Sequence, residues 1–321
     1  MTQSVLITGA AGFIGSSVAR RLAGAGVRVT GLDNYCDFYD PAIKRARAAK
    51  LASEFGVEIV EGDIRSRADV DRSFDAATPD AVIHIAAMAG VRPSIENPKL
   101  YTEVNLDGTV NMLDASVTAG VSKFLFASSS SVYGNNEKVP FSEDDPVDHP
   151  ISPYAATKRA GELICHTYAH LHKLPITCLR FFTVYGPGQR PDLAIGKFMR
   201  LIDQGKSVPM FGDGSTSRDY TYIDDIVDGV LAALERCAGY NIYNLGGSSP
   251  VSLRELIDAI GRVMGKDPRI ERLPMQPGDV ERTYADTSRA ERELGFTSRV
   301  TLEEGLARQW ASIRHELSTS G

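Results

Sequence analysis

The chain has 321 residues, 43% of them hydrophobic and 24% charged, which is enough to bury a large core and suggests two lobes. Its net charge of -6 argues against nucleic acid or an anionic membrane as the main partner. The four cysteines lack a C-x-x-C spacing, and no signal peptide or apolar run of about 18 residues is present, which predicts a cytoplasmic protein.

Short apolar runs alternate with helical patterns through the first half of the chain. The apolar runs predict strands buried on both faces, at 5–8, 27–32, 57–60, 81–85, 123–128 and 176–182. The helical patterns lie at 14–23, 43–54, 68–76, 100–119 and 154–171. Strands that alternate with helices in this way predict an α/β fold built on a doubly wound parallel sheet.

The pattern changes near residue 182, after which loops containing Gly and Pro separate shorter helices. Ser252 to Glu255 and Thr301 to Glu304 both fit a capping box, which predicts that helices begin there. The sequence therefore predicts a first lobe over 1–182 and a smaller α/β lobe mainly over 183–321, with part of 220–250 returning to the first lobe.

Three glycines follow the first predicted strand and open the first helix, as Gly9-x-x-Gly12-x-x-Gly15. In this context glycines let the backbone approach a pyrophosphate at the helix N-terminus, so the site includes Phe13 and Ile14 at the helix start. The spacing differs from G-x-G-x-x-G. A turn without a ligand would use only one or two glycines, so a dinucleotide site is the better interpretation.

Two carboxylates follow later strands. Asp33 ends the second strand about 18 residues beyond Gly15, where a carboxylate accepts hydrogen bonds from both adenosine-ribose hydroxyls. Its charge would repel a 2′-phosphate, which favours NAD over NADP; Asn34 is the next residue. Asp63, with Ile64 beside it, is a candidate for the adenine edge, and an exposed loop is an equal alternative.

Tyr154 and Lys158 lie four residues apart on a predicted helix, so their side chains emerge on one face. A nearby ammonium favours tyrosinate, and the spacing predicts a lowered pKa for Tyr154 and a role as base. Ser129 belongs to a run of four serines at the end of the fifth strand, where ligands of such sheets bind. It is predicted to hydrogen-bond the reacting oxygen, although the run could also be only a polar turn.

The order of these motifs resembles the extended short-chain dehydrogenase/reductase family, in its nucleotide-sugar branch. The matching segments are TGAAGFIG, DNY, GDI, HIAA, EVNLDGT, SSSSVYG, YAATK, LRFFTVYGPGQRPD, GDGSTSRDYTYIDD and QPGDV. The resemblance implies an NAD-binding Rossmann domain over 1–182 and a lobe mainly over 183–321 that binds a nucleotide sugar. Segment 33–50, with AGVRPSIENP, FFTVYGPGQRPD and MQPGDVERTYAD, is most similar to UDP-glucuronate 4-epimerases.

The resemblance also implies individual contacts. Arg218 matches the arginine that neutralises the sugar diphosphate, and Asp279 matches a contact to the uridine ribose. Gln276 and Thr183 stand where UDP-galactose 4-epimerases have arginine and asparagine, and both departures suit a different C5 substituent. Further members of the implied sites are Ala86, Ala87 and Asn105 for the cofactor and Ser130 for the substrate.

A sugar acid needs donors that fix its carboxylate. Arg190 is the candidate, because a guanidinium matches both carboxylate oxygens; an exposed loop arginine is the alternative, and Arg92 is the weaker candidate. The expected reaction is epimerisation of UDP-glucuronate to UDP-galacturonate through a 4-keto intermediate. A UDP-glucose/UDP-galactose-type epimerase and a UDP-glucuronate decarboxylase are the rivals, and related decarboxylases carry a glutamate where this chain has Ser130 and Ser131.

A non-catalytic module that senses NAD is the alternative from another class, but it would need only the cofactor turn and not the three catalytic side chains. The resemblance further implies a homodimer formed through the helices at 100–119 and 154–171. No metal site is expected at His166 and His170, which read as helix surface. Asp224 and Asp225 read as a helix start, and the basic run 44–50 reads as a solvated helix face.

Overall fold

A computed structural model describes residues 2–274 and 280–319 of the chain. The strands in this described part are β1 (Ser4–Thr8), β2 (Arg28–Asp33), β3 (Glu58–Glu61), β4 (Ala81–His84), β5 (Lys123–Ser129), β6 (Ile176–Phe181), β7 (Thr183–Tyr185), β8 (Val208–Phe211), β9 (Ser217–Tyr222), β10 (Tyr240–Leu245), β11 (Pro250–Ser252) and β12 (Ile270–Leu273). Seven of them form one parallel sheet in the order β10-β6-β5-β4-β1-β2-β3. The predicted fold class is confirmed.

The α-helices in the described part are α1 (Phe13–Gly24), α2 (Pro41–Phe55), α3 (Arg67–Ala77), α4 (Val91–Glu96), α5 (Pro98–Thr102), α6 (Gly108–Thr118), α7 (Pro153–His172), α8 (Ala194–Asp203), α9 (Ile223–Arg236), α10 (Leu253–Met264), α11 (Ser288–Leu294) and α12 (Leu302–Thr319). In that part no helix combines the length and apolar character that crossing a membrane requires.

The central strands of the main sheet are buried on both faces, which explains their continuous apolar runs, whereas the edge strand β3 is half-buried or exposed. Successive residues of β1 point to opposite sides: Val5 and Ile7 belong to one core cluster, and Leu6 belongs to the other. All five residues of β1 are buried. The order of the strands reverses between β1 and β4, so the carboxyl ends of these two strands border a crevice suited to a ligand.

The helix predicted over 100–119 is not continuous. Helices α5 and α6 are joined by one π-helical turn, Glu103–Asp107, in which the amide of Gly108 donates to the carbonyl oxygen of Glu103. The Asn105 side chain in this turn bonds both backbone groups of Met88, so a tertiary contact accompanies the wider turn. The helical period of the sequence gives no sign of this insertion.

The second half of the chain contributes to both parts of the molecule. Strand β10 pairs in parallel with β6 at the edge of the main sheet, whereas β7, β9 and β11 form a second sheet and β8 and β12 a third. The capping box at the start of α10 is present, with Ser252 Oγ accepting from the Glu255 amide at 3.1 Å. The corresponding bond before α12, from the Glu304 amide to Thr301 Oγ1, measures 3.3 Å. The domain boundary at 182 stays a prediction.

Candidate active site

One cavity of about 720 Å³ brings together most of the site residues expected from the sequence. Those lining it are Gly9, Gly12, Phe13, Ile14, Gly15, Asp33, Asn34, Asp63, Ile64, Ala86, Ala87, Ser129, Tyr154, Lys158, Thr183 and Arg190. Four described candidates are absent from its wall: Arg92, Asn105, Ser130 and Arg218. Gln276 and Asp279 lie outside the described residues.

The glycine turn leaves no room for side chains. A Cβ on Gly15 would lie 2.1 Å from the carbonyl oxygen of Gly9, and Gly9 itself has a φ of +69°. A Cβ on Gly9 would also lie 2.9 Å from the amide nitrogen of Ala86. The first turn of α1 has no side-chain cap at Gly12, so its backbone N–H groups can receive an anion such as a pyrophosphate.

Asp33 is buried, and both of its oxygens accept backbone hydrogen bonds. Oδ2 accepts from the Ala11 amide and Oδ1 accepts from the Tyr35 amide, each at 2.9 Å. These bonds fix the carboxylate at the end of β2, beside the glycine turn. Since each carboxylate oxygen has a second lone pair, Asp33 can still accept from ribose hydroxyls.

Asp63 is held by Arg65 and Asn34 at the same end of the cavity. Arg65 donates from Nη2 to Oδ2 at 2.8 Å, and Asn34 donates from Nδ2 to the same oxygen at 2.9 Å. Burial raises the pKa of Asp63, but the hydrogen bonds from Arg65 and Asn34 outweigh burial and lower that pKa to about 2. The group is therefore a fixed anionic acceptor at neutral pH.

The pKa of Tyr154 differs in direction from the prediction. Burial raises it, and a hydrogen bond with Ser129 and the charge of Arg190 oppose that rise only in part. Lys158 is not among the groups that oppose it, and its Nζ donates to the carbonyl oxygen of Ala127 on β5 at 2.7 Å. Burial lowers the pKa of Lys158 to about 8.

Arg190 lies in the loop between β7 and α8, with its side chain only 18% exposed. Its guanidinium lies over the ring of Phe38, with Cζ 4.9 Å from the ring centroid. Asp192 accepts from Nε at 3.2 Å and from Nη2 at 3.0 Å, so the side chain already holds a carboxylate in a two-point grip. Arg190 is therefore a half-buried cation in the wall that contains Tyr154 and Thr183, and not a solvated loop arginine.

Asn105 does not line the cavity but hydrogen-bonds residues next to it. Its Oδ1 accepts from the Met88 amide at 2.8 Å, and its Nδ2 donates to the Met88 carbonyl at 3.0 Å and to Thr157 Oγ1 at 3.0 Å. Met88 lines the cavity, and Thr157 lies on α7 beside Lys158. Asn105 thus links a wall loop to the helix of the catalytic candidates.

The other three candidates lie elsewhere on neighbouring elements. Arg92 lies on α4 with its guanidinium over the ring of Phe211, 5.0 Å from the centroid. Arg218 lies on β9 and donates from Nη1 to the carbonyl of Ser217 at 2.8 Å. Ser130 begins the short 3-10 turn after β5. Contacts from these side chains to a ligand stay predictions.

Several wall residues were not expected from the sequence. Tyr101, from α5, meets Tyr154 edge-on with ring centroids 6.2 Å apart, and its hydroxyl donates to the Ala89 carbonyl at 2.9 Å. Phe38 supports Arg190 as described above. Neither aromatic residue belongs to a motif with a mechanism of its own, so only the assembled cavity identifies them.

The basic run 44–50 is not the uniformly solvated face that its composition predicts. Lys44 is only 5% exposed, and its Nζ donates to the carbonyl oxygen of Cys36 at 2.8 Å. Arg47 is half-buried and donates from Nη2 to the carbonyl oxygen of Gly188. Both cations turn inward toward segment 34–39, which closes one end of the cavity.

Comparison with known proteins agrees with this geometry. The model of the NAD dependent epimerase/dehydratase family matches residues 5–246. The UDP-glucuronate 4-epimerase of Thermodesulfobacterium geofontis (strain OPF15) is 42% identical, over 98% of this chain and 98% of its own length.

Two solved structures are also close. The UDP-glucuronic acid 4-epimerase of Bacillus cereus, in complex with UDP-glucuronic acid and NAD, is 34% identical with a TM-score of 0.91, covering 97% of this chain and 99% of its own. The UDP-glucose 4-epimerase of Thermotoga maritima, with UDP-glucose, is 32% identical with a TM-score of 0.90, covering 98% and 99%. The resemblance read from the motifs is confirmed: the chain belongs to the NAD dependent epimerase/dehydratase family.

Proposed function

We propose that this protein is an NAD-dependent UDP-glucuronate 4-epimerase, which converts UDP-glucuronate to UDP-galacturonate through a transient 4-keto sugar. The observation that carries the proposal is the presence of Arg190 and Tyr154 in the wall of one cavity, where the charge of Arg190 opposes part of the rise that burial causes in the pKa of Tyr154. A cation beside the catalytic base suits a substrate with a carboxylate next to the reacting carbon.

NAD fits the residues present. The glycine turn has room for backbone approach only, and the Asp33 carboxylate is fixed where it can accept from ribose hydroxyls and would repel a 2′-phosphate. When bound, NAD⁺ supplies the oxidising power that takes hydrogen from C4 of the sugar and gives it back on the opposite face. Asp63, Ile64, Ala86 and Ala87 complete the proposed cofactor wall.

Tyr154, as phenolate, would remove the proton of the C4 hydroxyl and later return it to the 4-keto oxygen. Ser129 lines the same cavity wall as Tyr154 and would hold the reacting oxygen. Lys158 lies one helical turn on, where its ammonium would bind a cofactor ribose hydroxyl. Because burial raises the pKa of Tyr154, the phenolate needs positive charge nearby, and Arg190 supplies part of it.

The C5 carboxylate is the group that distinguishes this substrate from a neutral hexose. Arg190 already binds one carboxylate, that of Asp192, and Thr183 lines the same wall. Oxidation at C4 creates a β-keto acid, which loses CO₂ readily when the breaking bond overlaps the carbonyl. A guanidinium grip on the carboxylate would hold that bond out of overlap. Ser130 and Ser131, in place of acidic residues, offer no additional acid or base at this point.

The remaining substrate contacts extend the proposal to the second lobe. Arg218 would neutralise the diphosphate and Asp279 would contact the uridine ribose, with Gln276 also in the substrate site. Arg92, on α4 of the first lobe, is the weaker candidate for the carboxylate. Ser130 would lie next to the sugar.

A homodimer is part of the proposal. Large apolar side chains are exposed on α4 and α7, namely Ile95 at 49%, Leu163 at 54% and Leu171 at 65%. Covering them by a second copy would remove apolar surface from water. We also expect the enzyme to work in the cytoplasm, which fractionation of producing cells would test.

The experiment is to incubate the purified protein with UDP-glucuronate and, separately, with UDP-glucose, and to resolve the products by chromatography and mass. An epimer of unchanged mass from UDP-glucuronate supports the proposal. A product that has lost CO₂ would identify a decarboxylase, and turnover confined to UDP-glucose would identify a hexose epimerase. NAD binding without turnover of either sugar would favour a sensor.

A further inference from the structure

The segment from Asp33 to Arg47, which runs from the end of β2 into α2, lies against the loop that carries Arg190. Phe38 places its ring 4.9 Å under the Arg190 guanidinium. Nine residues further on, Arg47 of α2 donates from Nη2 to the carbonyl oxygen of Gly188, two residues before Arg190 and 141 residues away in sequence. One segment thus supports both the side chain of Arg190 and the backbone that leads to it.

The conformation of the Arg190 loop depends on such supports. Gly188 has a φ of +79°, which an ordinary side chain rarely adopts, and the loop is held by hydrogen bonds of its neighbour Gln189. Gln189 donates from Nε2 to the Val184 carbonyl at 3.0 Å and accepts from Gln309 Nε2 at 2.9 Å. The contact from Arg47 to the Gly188 carbonyl holds the loop from α2, two residues before Arg190.

The same segment begins at the ribose carboxylate. Asp33 Oδ1 accepts from the Tyr35 amide at 2.9 Å, and the next residues, Asp37, Phe38 and Tyr39, line the cavity. The Tyr39 hydroxyl accepts from Arg47 Nη1 at 3.4 Å. Contacts therefore run continuously from Asp33 to Arg47 and across to the Arg190 loop.

Cations converge on this segment. Lys44 Nζ lies 4.7 Å from the centroid of the Tyr39 ring. Arg47 Nη1 donates to the hydroxyl of the same tyrosine at 3.4 Å, so two cations contact one phenol. Burial raises the pKa of Tyr39, and the charges of Arg47, Lys44 and Arg190 oppose that rise. Their convergence suits a site that positions a guanidinium for an anion.

We propose that Arg47 and Phe38 are positioning residues for substrate choice: they hold Arg190 in place for the sugar carboxylate, so the segment that begins at the ribose carboxylate also sets the preference for a sugar acid. This inference rests on the proposed function, in which Arg190 binds the C5 carboxylate. Arg47 acts through the Gly188 carbonyl and Phe38 through the face of the guanidinium, and neither needs to touch the substrate.

The test begins with Arg47→Ala in the full-length protein. We expect KM for UDP-glucuronate to rise about tenfold, the size of one hydrogen bond to a charged group, with kcat close to that of the parent. Affinity for UDP and UDP-glucose and NAD content should stay unchanged, and the melting temperature should fall by only a few degrees, because one hydrogen bond between distant elements is lost. Arg47→Lys should recover part of the loss, because an ammonium can still donate to the Gly188 carbonyl.

Arg45→Ala is the matched control. Arg45 lies on the same helix, is 57% exposed and pairs with Glu61 at 2.7 Å, away from the Arg190 loop. We expect no acid-selective loss from it. Phe38→Leu keeps an apolar side chain under Arg190 but removes the aromatic face, and it tests the inference independently if Arg47→Ala fails to fold. We expect it to raise KM for UDP-glucuronate without changing affinity for UDP-glucose.

Arg190→Ala and the double variant Arg47→Ala/Arg190→Ala separate this inference from the proposed function. If Arg47 acts through Arg190, its acid-selective effect disappears in the double variant. An acid-selective loss in Arg190→Ala with none in Arg47→Ala and Phe38→Leu overturns the inference and leaves the proposed function standing. An Arg47 effect that is equal on both sugars, or that persists in the double variant, also overturns it. Equal loss on both sugars in Arg190→Ala overturns the carboxylate anchor itself, and the inference with it.

Discussion

Glu162 receives the guanidinium of Arg180 with both of its carboxylate oxygens in the interior of the protein. Oε1 accepts from Nε at 2.8 Å and Oε2 accepts from Nη2 at 2.9 Å, and both side chains are at most 1% exposed. Glu162 Oε1 also accepts from the Ser128 hydroxyl at 2.6 Å. The pair ties α7, which carries Tyr154 and Lys158, to β5 and β6.

Removing one partner of this pair should be strongly destabilising. Glu162→Ala would leave the Arg180 guanidinium buried without its carboxylate, and we expect a loss of about 3–5 kcal/mol in the free energy of unfolding. Urea denaturation measures it. Asp71→Ala, which breaks the exposed i,i+4 pair with Arg67, is the control and should cost about 1 kcal/mol or less. Equal losses in the two variants would show that the buried pair does not hold the helix.

The glycine turn gives a sharp steric prediction. Gly15→Ala should abolish NAD binding, because the new Cβ would lie 2.1 Å from the Gly9 carbonyl oxygen and the turn would have to open. Gly24→Ala, at the other end of the same helix, meets nothing within 4 Å and should leave NAD content unchanged. The measurement is bound NAD per chain in purified, folded protein. Normal NAD content in Gly15→Ala would contradict the proposed phosphate site.

The Tyr154 hydroxyl should be needed for turnover and not for binding. Tyr154→Phe should lower kcat at least about 10²-fold, because a positioned acid/base group contributes that much, while NAD content and UDP affinity stay unchanged. Tyr168→Phe is the control on the same helix, where the hydroxyl bonds Asp114 away from the cavity. The measurement is the steady-state rate on UDP-glucuronate. Comparable rates in the two variants would show that Tyr154 is not the catalytic base.

His84 should make folding sensitive to acid. Burial, with a smaller effect from Lys158, lowers its pKa from 6.5 to about 3, and its ring nitrogens bond Thr8 at 2.7 Å and Thr109 at 3.0 Å. The unfolded chain takes up this proton near the ordinary pKa, and the folded chain does so only near the lowered one. The stability contribution of His84 is therefore complete above pH 6.5 and is lost as pH falls toward 3.

The measurement is the free energy of unfolding against pH for the parent and for His84→Gln. Between roughly pH 6 and pH 4 the parent should lose up to about 1.4 kcal/mol per pH unit more than the variant. Parallel curves would mean that His84 titrates normally in the fold.

The sequence predicts those features that depend on residues close to one another along the chain. Each strand predicted for the first half is present. The central ones are buried on both faces and must be apolar along their length, as Val5 to Ile7 are, whereas the edge strand β3 is not buried. The glycine turn and the tyrosine and lysine one turn apart on α7 were likewise readable, since both depend on residues within a few positions. Asp33 followed from its fixed distance to the turn.

Contacts between residues far apart in the chain could not be predicted from the sequence. Nothing near Arg47 in sequence indicates a bond to Gly188, and a run of basic residues ordinarily faces water. The pKa of Tyr154 was predicted in the wrong direction, because the spacing to Lys158 fixes the helix face but not how far the phenol is buried or that Lys158 bonds Ala127 instead. Both features arise only when separate elements pack together.

The central claim is that hydrogen leaves C4 of UDP-glucuronate and returns to C4 of the same sugar while the carboxylate is kept. The most direct measurement uses UDP-glucuronate deuterated at C4 and follows the product by mass and NMR. We predict that the product is UDP-galacturonate, that it retains deuterium at C4 and the carboxylate at C5, and that no NADH accumulates. A product that has lost the deuterium or CO₂, or NADH formed in proportion to product, would contradict the account.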